Sequence, residues 1–238
     1  MDKLFFFDTE TTGNEEKDFL CEIGYKIGDK TAEGMFKPPI PVSVESMAVH
    51  HITNKMLADK PEFKYSPLFE EVKKYAHDGK TIFVAHNAQF DLRMLKKEGI
   101  IPERSICTLK VARELDSEDK IPSYRLQYLR YYLDLDVEGT AHDALGDVLV
   151  LEQLFGRLFQ KMRESEESDE AVLEKMIAIS ARPSFIRKIN FGKYSGRLVM
   201  DIAKTDPAYL EWLYKEKSKT PEAEEDWLYT LKTALSIE

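Results

Sequence analysis

The sequence predicts an α/β fold: a mixed sheet flanked by helices, with a small α-rich appendage at its C-terminal end. Three observations carry that expectation. The chain opens with three apolar segments of strand character in a meander, continues with alternating helical and strand-like segments, and breaks near residue 164 into a polar, acidic stretch. With 238 residues, 43% of them hydrophobic, it can bury a full core as one large domain with a small addition.

Leu4 to Phe7 reads as a short buried strand, with Phe19 to Ile27 and Thr31 to Phe36 as neighbours separated by a turn at Gly28-Asp29-Lys30. Pro38, Pro39 and Pro41 then impose an irregular crossing, after which Thr53 caps a short helix over Asn54 to Ala58. Ser66-Pro67 is a cap followed by proline at the first helical position, and Leu68, Val72 and Tyr75 continue that helix until Gly79 stops it. Thr81 to Ala85 is a buried strand, Gln89 to Lys97 a helix ending at Gly99, and Ser105 to Thr108 a strand that leads into a helix through Leu115. Tyr124 to Leu133 is helical with Ser123 as cap. Leu145, Val148, Leu151, Leu154, Phe155, Leu158, Phe159 and Met162 then keep helical spacing through the longest helix. The stretch RESEESDEA, Arg163 to Ala171, marks a boundary: residues 1–163 form the main domain, 164–181 a linker with a short helix near Ala171 to Ile179, and 182–238 a small C-terminal domain. Within that domain a Gly-punctuated stretch precedes a helix from Pro207 to Tyr214 and a last helix capped by Thr220-Pro221.

A net charge of −9 argues against a protein that holds nucleic acid through bulk electrostatics, because phosphate contacts need Lys and Arg. A local patch remains possible: Arg182, Arg187, Lys188, Lys193, Arg197 and Lys204 face the single acid Asp201 between residues 182 and 204. Cys21 and Cys107 sit in apolar surroundings without metal-ligand spacing, as buried thiols of a reducing compartment. LFFF is too short for a signal or membrane segment, so a cytoplasmic protein with no membrane association is expected.

Three clusters of polar residues carry chemistry. In FFFDTETTG, strand periodicity points Asp8 and Glu10 to one face and Thr9 to the other. Carboxylates held that close repel unless a cation lies between them, and oxygen-only ligands suit Mg2+ or Mn2+. Taken alone, the pair also fits a solvated strand end. Asp91 in AHNAQFDLRML stands at a helix start, where an acid also complements the helix dipole. His142 and Asp147 in GTAHDALGDVLVLE are five positions apart, about 140° around a regular helix, so they converge only if His142 precedes the helix. With Asp143 as N-cap and Ala144 as first helical residue, that condition is met. Together Asp8, Glu10, Asp91 and Asp147 with His142 compose a two-metal phosphodiesterase site, in which a neutral His takes a proton from the attacking water.

FDTETTG, HNAQFD and HDALGD, in that order, resemble the three exonuclease motifs of the DEDDh branch of the DnaQ-like superfamily, whose fold is ribonuclease H-like. SMAVHHITNKMLADKP, ICTLKVAR and FGKYSGRLVMDIAKTDPAYLEWLY resemble its exodeoxyribonuclease X group, including that group's small C-terminal region. The resemblance implies a 3′–5′ exonuclease that releases nucleoside 5′-monophosphates from DNA 3′ ends, single-stranded or in frayed duplex, with two Mg2+ or Mn2+ ions held by Asp8, Glu10, Asp91 and Asp147 and with His142 as general base. It implies nucleotide contacts from Thr11, Thr12 and Gly13, and a site lined by His86 and Asn87. An RNA-trimming exonuclease of the same fold and a non-catalytic nucleic-acid adaptor are the alternatives. His50 and His51 also match a family position, where a structural role is expected. In the C-terminal region Arg187, Lys188, Lys193, Tyr194 and Arg197 suit a phosphate grip, against a simple satellite core built from Tyr209, Leu210, Leu213 and Tyr214.

Overall fold

The computed structural model describes residues 2–137, 144–221 and 224–237, which fall into two compact units: residues 2–115 with 121–180, and residues 116–120 with 181–237. Strands β1 (Lys3–Thr11), β2 (Leu20–Ile27) and β3 (Lys30–Met35) form the expected meander. Helices α1 (Val44–His50), α2 (Asn54–Leu57) and α3 (Pro67–Ala76) follow, then β4 (Thr81–Ala85), α4 (Ala88–Lys97), β5 (Ser105–Cys107), α5 (Thr108–Leu115), α6 (Leu126–Tyr132), α7 (Ala144–Arg163) and α8 (Asp169–Ser180). The five strands make one sheet in the order β3-β2-β1-β4-β5, antiparallel across β3, β2 and β1 and parallel from β1 through β4 to β5.

Alternation along β1 sends its side chains into two cores. Phe5 and Phe7 pack with Tyr25, Phe83, Val72, Met94 and Leu95 on the face covered by α3 and α4. Phe6 packs with Val84, Val111, Val148, Leu151 and Phe155 on the face covered by α5, α6, α7 and α8. Burying large apolar side chains on both faces is what lets a sheet this small stand without staples, since each contributes roughly 2 kcal/mol. Cys21 and Cys107 are both buried, and burial chiefly, with Glu10 and Glu22 nearby, pushes the Cys21 thiol up to about 12.

Several boundaries differ from expectation for local reasons. The crossing after the prolines contains α1, because Ser43 accepts the amide of Ser46 and caps a helix whose Val44 and Val49 are exposed and so show no apolar periodicity. Ser123 does not cap α6; its hydroxyl accepts the amide of Arg125 at 3.4 Å, and the helix begins at Leu126 without a side-chain cap. Stretch 164–181 is mostly α8, capped by Ser168 through the amide of Ala171 and burying Val172, Met176 and Ile179. The expected N-cap Asp143 lies outside the described residues; α7 begins at Ala144.

The second unit holds α9 (Val199–Thr205), α10 (Pro207–Lys217) and α11 (Glu225–Leu235) around Ile189, Val199, Ile202, Leu210, Leu213 and Leu231. Asp206 caps α10 by accepting the amide of Tyr209, with Pro207 at the first position. Thr220-Pro221 does not cap α11, which begins at Glu225 without a side-chain cap. No helix among the described residues is long and apolar enough to cross a membrane.

Candidate active site

Pairing between β1 and β4 ends at Phe6 and Val84, so the last residues of β1 run past β4 with one edge open. Asp8 and Glu10 occupy this overhang with the same parity as Phe6, which turns them toward α7. On β2 the residues opposite them are Gly24 and Glu22. A Cβ on Gly24 would stand 2.7 Å from the backbone of Ala144 and Leu145; only glycine lets the first turn of α7 lie this close to the strand. That close approach delivers Asp147, which is 8% exposed, to the two strand acids. Asp8, Glu10 and Asp147 each offer a carboxylate oxygen, all within 4.8 Å of one another.

Asp91 reaches the strand from its other face. It sits in the first turn of α4, 3% exposed, and its Oδ1 accepts the amide of Thr9 at 3.1 Å and the Thr9 hydroxyl at 2.7 Å. Thr9 has the opposite parity to Asp8 and Glu10, so the residue between the two acids is the one that ties down the fourth carboxylate. Burial pushes the Asp91 carboxyl up to about 7 against the opposing pull of the Thr9 hydrogen bonds. Asp8 is raised well above the usual carboxylate range, by burial first and then by the charges of Asp91, Asp147, Glu10 and Glu22. An all-oxygen donor set under this mutual repulsion fits a hard divalent cation, which would relieve it. Asp91 is not in the close three-acid group, and the expected base His142 lies outside the described residues.

The remaining expected residues have defined local duties. Thr11 donates its hydroxyl to the Gly13 carbonyl at 2.6 Å, and Thr12 donates to Asp18 at 2.8 Å while accepting the amide of Phe19. Gly13 makes room for that Asp18 carboxylate, which a Cβ would meet at 2.4 Å. His86 donates from Nε2 to the Tyr124 carbonyl at 2.6 Å, since a carbonyl only accepts, and its Nδ1 takes the Thr108 hydroxyl at 2.9 Å. Burial lowers it to about 4, so it is a neutral strut between β4, α5 and the approach to α6. Asn87 is exposed at φ 63°, the left-handed region, and its side chain makes no hydrogen bond with the described residues.

Four further residues join the site, three of which carry no sequence signal of their own. Gln127 on α6 donates its amide Nε2 to Asp147 Oδ1, and Arg130 donates to Gln127 Oε1 at 3.5 Å and to the Val137 carbonyl, the last described residue before the His142 segment. The guanidinium fixes which end of the amide faces the carboxylate. Glu22, 3% exposed, is a further acid beside the site, directly across from Glu10. His50, 6% exposed, places Nε2 at 3.2 Å from the Thr11 carbonyl while its Nδ1 accepts the amide of Ile52, so it anchors the turn after β1; His51 is exposed.

The C-terminal basic residues divide. Arg187 donates to the Asp116 carbonyl and Lys188 pairs with Asp119 at 2.6 Å, which commits both to holding segment 116–120 in their own unit rather than to an open phosphate grip. Lys193 and Arg197 are exposed.

Comparison with known proteins agrees with this layout. The model of the exonuclease family matches residues 5–155, and the exodeoxyribonuclease X-like C-terminal model matches residues 189–218. Exodeoxyribonuclease 10 of Escherichia coli strain K12 is 36% identical over 225 residues, spanning 92% of this chain and 94% of the relative. The DNA polymerase III subunit epsilon of Treponema pallidum is 32% identical over 63% of this chain and 73% of its own. Exonuclease X, solved in complex with 5′ overhanging duplex DNA, aligns with a TM-score of 0.56 at 29% identity, over 75% of this chain and 99% of that chain. The chain therefore belongs to the exonuclease family, as a 3′–5′ exonuclease of the DnaQ-like kind with an X-like C-terminal module.

Proposed function

We propose that the protein hydrolyses the terminal phosphodiester of DNA from the 3′ end, single-stranded or in frayed duplex, and releases nucleoside 5′-monophosphates. The observation that carries this reading is the convergence of Asp8, Glu10 and Asp147 within 4.8 Å at the end of the central strand, with Asp91 entering beside Asp8 from α4. Asp8, Glu10 and Asp147 would hold divalent cations, Mg2+ or Mn2+, with Asp91 supporting the second of two. Such ions, when bound, supply charge neutralisation for the attacking and leaving oxygens.

The chain's own residues do the rest. Gln127 fixes the rotamer of Asp147, and Thr9 fixes Asp91, so the acids are oriented before substrate arrives and no reorganisation is needed at the moment of reaction. His142, ahead of the first turn of α7, would take the proton of the attacking water. Thr11 to Gly13, held by His50, would present backbone to the terminal nucleotide. DNA is favoured over RNA because the relative that matches 92% of the chain is an exodeoxyribonuclease.

Matched 5′-labelled DNA and RNA oligomers with Mg2+ test the reading. DNA should shorten from the 3′ end with nucleoside 5′-monophosphate as product, and Asp8→Asn should remove turnover by at least about a thousandfold while leaving the chain folded. Faster loss of the RNA would overturn the DNA assignment. A wild-type chain that binds DNA without shortening it would leave the adaptor reading.

A further inference from the structure

The C-terminal unit carries an exposed run of rings and cations that its own core does not require. Along α10, Leu210 and Leu213 point into the core, whereas Trp212 is 52% exposed. Tyr209, three residues before Trp212 and so beside it on the helix surface, has its ring 5.6 Å from that of Trp212 and 4.8 Å from that of Tyr194. The loop bearing Tyr194 turns through Gly192 and Gly196, both at positive φ, and is locked to α10 by its capping acid: Tyr194 donates its hydroxyl to Asp206 at 2.6 Å, and Lys193 Nζ lies 3.1 Å from the same oxygen. The Lys193 ammonium rests over both rings, 4.7 Å from the centroid of Tyr194 and 5.1 Å from that of Tyr209. Arg197 sets its guanidinium 5.6 Å from the Tyr194 centroid and makes no ion pair among the described residues.

We propose that this surface of the C-terminal unit binds single-stranded nucleic acid, a base stacking on Trp212 while Lys193 and Arg197 meet the adjoining phosphates. The chemistry selects that class of ligand. A half-exposed indole leaves much of its apolar surface wet, and every base has a π-face to cover it. Lys193 has three donors, of which Asp206 occupies one, and Arg197 has five on a planar fork suited to phosphate. In a chain of net charge −9, attraction for phosphate has to be local, and here Arg197 stands beside a ring with no ion pair among the described residues, next to Lys193, which keeps donors beyond the one that Asp206 occupies. The proposal extends the nuclease reading and does not depend on it, because all of these residues lie in the second unit.

The chain contains two tryptophans, Trp212 and Trp227, which gives the test its reporter. In full-length protein carrying Asp8→Asn to stop turnover and Trp227→Phe to leave one indole, titration with oligothymidylate should quench Trp212 emission to saturation. Arg197→Gln should weaken that binding severalfold, and Trp212→Leu, followed by polarisation of a labelled oligomer in an otherwise unchanged Asp8→Asn chain, should weaken it about tenfold. Absence of quenching would overturn the proposal, as would unchanged oligomer affinity in the Trp212→Leu chain or equal quenching by polyglutamate. If Trp227→Phe disturbs the fold, the Trp212→Leu measurement decides alone. A wild-type chain that shortens DNA while Trp212 stays silent refutes this site and leaves the nuclease reading intact; a responsive Trp212 in a chain without turnover does the reverse.

Discussion

Asp91 shows how a single residue trades stability for chemistry. It is buried, and although its Oδ1 is doubly hydrogen-bonded by Thr9, its carboxyl is pushed up to about 7 from a usual value near 4. An acid raised in the folded state means that the native chain holds more protons than the unfolded chain below that value, so folding stability falls as pH rises toward and through 7. With metal chelated, stability should drop between about pH 4 and pH 7 and level off above, by at most about 1.4 kcal/mol per pH unit for one proton. Asp91→Asn, which keeps an acceptor for Thr9, should flatten that slope, and added Mn2+ should offset it in the wild type. Chemical denaturation in EDTA at several pH values checks this; an equal slope in Asp91→Asn would assign the effect elsewhere. Asp8, Glu10, Asp91 and Asp147 were legible as sequence because strand parity and helix starts aim acids without reference to the rest of the chain. Gln127 and Glu22 were not, since a lone amide on an aromatic-rich helix and an acid in a strand become partners of the site only through long-range packing, whereas His50 was legible through its match to a family position and has the structural role expected there.

Among the elements, the contact of α7 with β2 decides whether the acids meet at all. Gly24 pairs with Asp8, and the backbone of Ala144 and Leu145 lies where its Cβ would be. Gly24→Val should push the first turn of α7 off the sheet, costing roughly 1–3 kcal/mol of stability through overpacking and moving Asp147 away from Asp8 and Glu10. The expected outcome is a folded chain with a lowered Tm, weakened Mn2+ binding and turnover reduced at least about a hundredfold, because displacement of about 1 Å is enough for that. Mn2+ titration followed by calorimetry, beside nuclease assays, measures both effects; full metal affinity in Gly24→Val would remove the geometric role assigned to the glycine. Elements with apolar periodicity were readable: β4 falls on the expected residues, and α7 buries Val148, Leu151, Leu154, Phe155, Leu158 and Met162 of the expected spacing. The unreadable ones were α1 and α9, short helices of seven residues whose apolar side chains Val44, Val49 and Met200 face solvent and leave no pattern.

At the scale of the whole molecule, charge and site pull in opposite directions. The acids that make a metal centre also contribute to a net charge of −9, which repels the phosphate backbone the enzyme acts on. Binding must then rest on the cation-filled centre and on small local patches, and few phosphate contacts mean little counterion release and short residence. We therefore predict a distributive enzyme that lets go of DNA after few removals and rebinds. In single-encounter reactions, with labelled DNA prebound under Ca2+ and started by Mg2+ together with excess unlabelled trap, the products should be a ladder of slightly shortened strands. The ladder should change little as salt is lowered, since few phosphate contacts give a shallow salt dependence. Limit products in one encounter at physiological salt would show that the chain encloses its substrate, and net charge would then be no guide to its hold on DNA.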